Sequence, residues 1–203
     1  MSRTRSLRMA LAALSFGALL ASTGCISPRG GSAWAALLRQ APPAAFPIPV
    51  DGVSPARLIN SWGNRRGGGR RHQGIDIMAP RGTPIRSTTE GIIETKGMRG
   101  LGGLVVTVIG PGGYRHYYAH LEDVAAQVIG EWVHAGEIIG YVGNSGNAAA
   151  SSPHLHYGVY TPGGKAVNPY PYLRTGASFN FSRAAIEAPA PAVEPAAAGP
   201  TAP

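Results

Sequence analysis

Short runs of apolar and β-branched residues, separated by glycine and proline, make up the middle of this chain. Runs of this length with turn-forming residues at both ends are typical of β-strands. No segment shows a long amphipathic helical period. The pattern therefore predicts an all-β domain, with strands at 91–95, 103–109, 114–119, 137–142 and 154–160.

Both ends of the chain differ in composition from this middle part. Residues 26–45 are rich in Gly, Ser, Ala and Pro, which is typical of a tether, although the apolar patch at 33–38 is compatible with a short helix. From residue 177 the chain is an Ala/Pro tail that has too few apolar side chains for a core. We therefore expect one domain at 46–176, a tether at 25–45 and a disordered tail at 177–203.

The first residues have the pattern of a secretory signal. An apolar stretch at 9–20 is followed by a small-residue run at 21–24, and three basic residues precede it: Arg3, Arg5 and Arg8. We expect residues 1–24 to be such a signal, since the stretch is too short for a membrane span. Its removal would lower the net charge of the chain from +8 to +5.

Cys25, the single cysteine of the chain, directly follows Thr23-Gly24. The segment resembles the lipobox of bacterial lipoproteins, whose cysteine is lipidated and becomes the mature N-terminus. Ser22 stands where such boxes usually carry Leu, so an ordinary signal with an incidental cysteine is the alternative. The residue after the cysteine is Ile26 rather than a retention-type Asp, which favours an outer-membrane lipoprotein that faces the periplasm.

Two short clusters contain residues that bind metals in proteins. The first is His72-Gln-Gly-Ile-Asp76 and the second is His154-Leu-His156. In a strand, alternate side chains share a face, so His154 and His156 project to one side while Leu155 enters the core. The clusters together offer two imidazoles and a carboxylate, the usual complement of catalytic zinc, while a single cysteine excludes a structural cysteine site.

These clusters, with Tyr118-Ala-His120-Leu121, resemble the signature of the lysostaphin-like zinc peptidases, the M23 or LytM type of peptidoglycan endopeptidase. Further matches run from about residue 58 to 175 and include Gly63-x-Arg65, Gly74-Ile75-Asp76 and Ser145-Gly146. The resemblance implies an antiparallel β-sheet groove of the duplicated hybrid motif type, with one zinc ion on its floor. It also implies three kinds of site residue: the metal ligands His72, Asp76 and His156; His120 and His154 beside the water that the metal activates; and the substrate contacts Arg65 and Tyr118. The other histidines, His116 and His134, match no motif and are expected to be structural.

The implied activity is zinc-dependent hydrolysis of peptide cross-links in bacterial peptidoglycan. A histidine that titrates near neutral pH suits the proton transfers, and the sequence leaves open how His120 and His154 divide them. It also leaves open whether the enzyme cuts the D-alanyl to diaminopimelate bond or glycine bridges. The expected partners are peptidoglycan stem peptides and, through the lipid on Cys25, a membrane.

Four arginines next to His72 concentrate positive charge in an Arg/Gly segment: Arg65, Arg66, Arg70 and Arg71. Such segments bind nucleic acid in other proteins, but export excludes that partner. Two interpretations remain, a solvated connecting loop and a cationic wall that attracts the carboxylates of stem peptides.

Two functions other than catalysis fit parts of the sequence. Some proteins of this fold resemble amidase activators that have lost their metal ligands and act by binding a partner, but the three implied metal ligands and the two implied catalytic histidines are all present here. The segment 133–143 also resembles the hairpin of lipoyl and biotinyl carriers. Those carriers need a lysine at a hairpin tip, and neither Lys96 nor Lys165 has that context.

Overall fold

The structure is a computed structural model that describes residues 29–175. The predicted signal, Cys25 and the predicted tail lie outside the described residues. Within 29–175, nine strands and two helices are formed: α1 Arg29–Arg39, β1 Ile75–Met78, β2 Pro84–Arg86, β3 Gly91–Arg99, β4 Gly103–Ile109, β5 Arg115–Val124, β6 Trp132–Val133, β7 Ile138–Val142, β8 His154–Tyr160, β9 Ala166–Val167 and α2 Tyr170–Thr175. Neither of these two helices is long and apolar enough to cross a membrane.

The described strands belong to one antiparallel sheet, as predicted. Its main path runs β1-β8-β5-β4-β3-β6, while β7 joins β5 to β2 and β9 extends from β8. The five predicted strands correspond to β3, β4, β5, β7 and β8, and β3 and β5 are longer than predicted. The all-β prediction is therefore confirmed.

The core follows from the alternation of side chains along the central strands. On β1, Ile75 and Ile77 are buried, and on β8 Leu155, Tyr157 and Val159 are buried beside them. Because successive strand residues point to opposite faces, the residues between these apolar positions face the other side of the sheet. That side carries the groove.

Strand register brings the sequence-distant clusters together. Asp76 on β1 pairs with His156 on β8, and His156 pairs in turn with Ala119 on β5. Directly opposite residues in an antiparallel pair place their Cβ atoms about 4.5–5.5 Å apart on one face. The carboxylate and the imidazole therefore meet across the sheet although 80 residues separate them.

Part of the segment expected to be a tether forms a short helix, which the apolar patch at 33–38 allowed. Residues 29–39 form α1, and Leu37 is completely buried while its neighbour Leu38 remains 40% exposed. The helix packs beside the turn Pro111–Gly113. This Gly/Ser/Ala-rich segment is folded because the apolar side chain of Leu37 packs on the domain.

Replacement of Leu37 by alanine is expected to lower the free energy of unfolding by about 2–5 kcal/mol, the usual effect of emptying a buried leucine site. Leu38→Ala removes the same atoms from an exposed position of the same helix and serves as the matched control. Denaturant unfolding of both variants measures the difference. Equal stability of the two would mean that α1 does not dock in solution.

Candidate metal centre

Three donor atoms converge on the floor of the groove, one from β1, one from β8 and one from the loop before β1. His72 Nε2 lies 2.8 Å from His156 Nδ1, and Asp76 Oδ1 lies 3.1 Å from the first nitrogen and 3.2 Å from the second. Donors bound about 2.0–2.1 Å from a tetrahedral zinc ion lie roughly 3.3 Å from one another. The spacing and the chemistry of these residues therefore fit a zinc ion with three protein ligands.

Ser61 holds two of these ligands from outside the cluster. The Nδ1–H of His72 donates to the carbonyl oxygen of Ser61 at 2.8 Å, which leaves the Nε2 lone pair directed at the other donors. The hydroxyl of Ser61 accepts a hydrogen bond from the backbone N–H of Asp76 at 3.0 Å. Sequence reasoning missed this residue, because a single serine with no motif spacing carries no signal.

The carboxyl group of Asp76 is held in its ionised form. Burial raises its pKa, but the close contacts with His156, His72 and Arg66 outweigh burial and hold the pKa below its ordinary value. Burial is also the main reason why the pKa of His156 is lowered. At neutral pH the cluster therefore presents an ionised carboxylate and a neutral imidazole, the forms that bind a metal.

His120 and His154 lie next to this cluster. Their ring centroids are 5.1 Å apart, and His154 Nε2 is 4.0 Å from Asp76 Oδ1. Each ring donates its Nδ1–H to a backbone carbonyl, His120 to Ser145 at 2.9 Å and His154 to Ser152 at 2.8 Å. Burial lowers the pKa of His120 to about 4, so that ring is neutral at pH 7 and its Nε2 lone pair is available.

His120 reaches the groove through an irregular backbone. It is the one residue other than glycine in the described range with a positive φ, at 64°. Between the pairs Leu104↔Leu121 and Val106↔Tyr118, β5 contains one more residue than β4, which is a β-bulge. Regular alternation would leave Tyr118 and His120 on the same face, and the bulge instead places His120 with the groove residues Tyr117 and Ala119.

The two residues expected to contact substrate lie elsewhere. Tyr118 is fully buried in the core, where its hydroxyl accepts a hydrogen bond from the backbone of Thr88 at 2.9 Å. The expectation that it contacts substrate is therefore wrong. Arg65 is exposed and is absent from the groove lining, with its backbone bridged to Arg71.

The two remaining histidines lie outside the cluster, as expected. His116 is buried against Thr88 and Tyr157, with Nδ1 2.8 Å and 2.7 Å from their hydroxyl oxygens, and burial lowers its pKa to about 3. His134 is exposed and offers a useful control position.

The Arg/Gly segment forms one wall of a groove of about 770 Å³. Its backbone closes into a small hairpin, with Arg66 N–H donating to Arg70 O at 2.9 Å, and Gly68 and Gly69 adopt the left-handed conformation that glycine favours. Arg66, Arg70 and Arg71 all line the groove. Of these, Arg66 forms an ion pair with Asp76, which no sequence pattern predicted.

Gly74 allows the backbone before Asp76 to pass against the ring of His156. A Cβ atom at this position would lie 2.5 Å from the carbonyl oxygen of Tyr157 and 2.7 Å from His156 Cε1. We expect Gly74→Ala to lower the free energy of unfolding by about 1–3 kcal/mol through overpacking, and to weaken zinc binding. Gly67→Ala is the control, because a Cβ there meets nothing within 4 Å. Wild-type stability and zinc affinity in the Gly74 variant would contradict this role.

Several known proteins are similar to this chain in sequence. The sequence model described as peptidase family M23 matches residues 70–169. The L-Ala–D-Glu endopeptidase of Bacillus subtilis is 38% identical over 150 residues, which are 68% of this chain and 45% of that protein. The DD-carboxypeptidase/endopeptidase Mpg of Neisseria meningitidis is 42% identical over 112 residues, 55% of this chain and 23% of that protein. The chain thus spans less than half the length of either relative.

A solved structure shares the fold as well as the sequence. The catalytic domain of lysostaphin from Staphylococcus simulans superposes with a TM-score of 0.52 at 30% identity. The match covers 57% of this chain and 90% of that domain. From the convergent donors, the sheet and these relatives, we conclude that the chain belongs to peptidase family M23.

Proposed function

We propose that this protein is a zinc-dependent endopeptidase that hydrolyses peptide cross-links of bacterial peptidoglycan. The observation that carries the proposal is the convergence of His72, Asp76 and His156 on the groove floor, with two further histidines beside them. Zinc in such a site lowers the pKa of a coordinated water to about 7 and polarises the carbonyl of the scissile amide. The chain's own residues bind the metal, orient the substrate and move protons.

His120 and His154 are proposed to carry the proton transfers and to stabilise the oxyanion. Both rings have their Nδ1–H fixed by a carbonyl oxygen, so Nε2 is the atom left to exchange a proton or donate to the substrate. Held rings of this kind need no reorganisation during the reaction. Amide hydrolysis needs one group to take a proton from the attacking water and one to protonate the leaving amine.

The cationic wall of the groove suits an anionic substrate. Arg70 lines the groove, and within residues 29–175 its one side-chain hydrogen bond runs from Nε to the carbonyl oxygen of Gly67 at 3.0 Å, which leaves its terminal nitrogens without a hydrogen-bond partner among these residues. A guanidinium binds a carboxylate through paired hydrogen bonds. The stem peptides of peptidoglycan carry such carboxylates, whereas glycine bridges carry none, and this favours stem-peptide substrates.

The relatives are named for different bonds, so the bond is to be identified from products. Purified sacculi of the diaminopimelate type and of the glycine-bridged type are digested, the glycan is then cut with a muramidase, and the resulting fragments are analysed by mass spectrometry. Conversion of cross-linked dimers to monomers would identify a cross-link as the target, as we propose, whereas disaccharides that retain a single L-alanine would identify the L-Ala–D-Glu bond. Asp76→Ala protein is the matched control. The competing function, a non-catalytic amidase activator, predicts no cleaved peptide bond in either substrate without an added amidase.

The protein is further proposed to be an outer-membrane lipoprotein, anchored through Cys25 and facing the periplasm. One acyl chain binds a bilayer with an association constant of only about 10⁴ M⁻¹, so stable anchoring needs the several chains of a lipoprotein. Cys25→Ser is expected to move the protein from the membrane fraction to the soluble fraction, with unchanged activity of the domain. Wild-type protein that is wholly soluble, with no lipid mass on its N-terminal peptide, would favour an ordinary signal peptide.

A further inference from the structure

The two carboxylate oxygens of Asp76 face different neighbours. Oδ1 points to the centre of the cluster, 3.1 Å from His72 Nε2 and 3.2 Å from His156 Nδ1. Oδ2 accepts a hydrogen bond from the guanidinium of Arg66. The carboxylate is therefore divided between an inner oxygen for the metal and an outer oxygen for an arginine.

The outer contact restricts a side chain that is otherwise free to rotate. Rotation about the bond to a carboxylate is soft and broad, so an unrestrained Asp76 can turn its plane or present both oxygens inward. Among the described residues, Arg66 is the one partner of Oδ2. We propose that Arg66 is a positioning residue that fixes Asp76 as a one-oxygen ligand of the metal, an inference that rests on the proposed zinc-dependent function.

The Arg/Gly segment holds Arg66 in the required place. The hairpin closes through the bridge between Arg65 and Arg71 and the hydrogen bond from Arg66 N–H to Arg70 O. Arg70, on the opposite side of the hairpin, turns its Nε back to Gly67 instead of toward Asp76. Two arginines of the hairpin therefore make different contacts: Arg66 binds Asp76, whereas Arg70 lines the groove without contacting that ligand.

Arg66 has two opposing effects on metal binding, so the sign of the net change in zinc affinity on its removal shows which effect is larger. A positive guanidinium near a divalent cation weakens binding by repulsion. Orientation of a ligand by an outer hydrogen bond strengthens binding, and loss of such a partner typically costs about 10–100-fold in affinity. If Arg66 acts only as a charge, its removal tightens zinc binding; if it positions Asp76, its removal weakens binding.

The test is the zinc dissociation constant of the full chain, measured by competition with a chelator of known affinity. Arg66→Gln is expected to bind zinc about 10–100-fold more weakly than the wild type. Arg70→Gln removes the same charge from the same hairpin without touching Asp76, and its affinity should equal that of the wild type or be slightly tighter. Arg66→Lys keeps the charge but offers a single donor nitrogen, and its zinc affinity should lie between those of the wild type and Arg66→Gln.

Zinc binding by Arg66→Gln that matches or exceeds that of Arg70→Gln would overturn the inference. Melting temperatures of the metal-free proteins are measured alongside and should agree, since the Arg66 side chain is 39% exposed. A wild-type protein that binds no zinc would instead overturn the proposed function itself. Failure of the inference and failure of the function therefore give different results.

Discussion

Replacement of Asp76 by alanine is expected to abolish zinc binding and peptidoglycan hydrolysis together. The carboxylate supplies the one anionic donor among the three that converge, and without it two imidazoles remain. Loss of an outer hydrogen-bond partner costs up to about 100-fold in metal affinity, so loss of a ligand itself should cost more. The same result is expected for His72→Ala and His156→Ala, with bound zinc measured by elemental analysis and activity by fragment release from sacculi.

His134→Ala is the control for these ligand variants, because it removes an exposed imidazole from outside the groove. It should retain one zinc ion per chain and wild-type activity. Full activity in any of the three ligand variants would show that the assignment of ligands is wrong.

Variants of His120 and His154 should separate catalysis from metal binding. We expect either His154→Ala or His120→Asn to lower turnover by about 10²- to 10⁴-fold, the usual contribution of general acid–base catalysis, while zinc content stays near wild type. Asparagine is preferred at position 120 because its short polar side chain tolerates the positive φ of 64° found there. Turnover and bound zinc are measured on the same preparations.

The zinc content of His154→Ala tests the assignment of ligands as well as of catalysis, since His154 Nε2 lies only 4.0 Å from Asp76 Oδ1. Zinc loss in His154→Ala as complete as in His156→Ala would make His154 a ligand. Unchanged turnover in both variants would remove these histidines from the mechanism.

The central strands and the three converging donors can be predicted from the sequence. Strand periodicity alone places His154 and His156 on one face with Leu155 in the core, and the structure has this arrangement. The motif resemblance then related His72 and Asp76 to His156, because it carries the strand pairing that local pattern cannot supply.

The failures have identifiable physical causes. A bulge in β5 turns His120 into the groove and leaves Tyr118, the expected substrate contact, in the core. No glycine marks this bulge, so its left-handed residue has no sequence signal. In α1, Leu37 is fully buried against the domain, a contact that the composition of the segment did not predict. The ion pair between Arg66 and Asp76 depends on how the hairpin folds over β1, which composition does not specify.

The rate at which soluble fragments are released from purified sacculi, measured as zinc is added stepwise to metal-free protein, tests the central claim most directly. We expect no release without metal, a linear rise with added zinc and a plateau at one zinc ion per chain. His156→Ala protein should stay inactive across the same titration. Hydrolysis by the metal-free wild type at a rate that added zinc does not change would contradict a zinc-dependent peptidase.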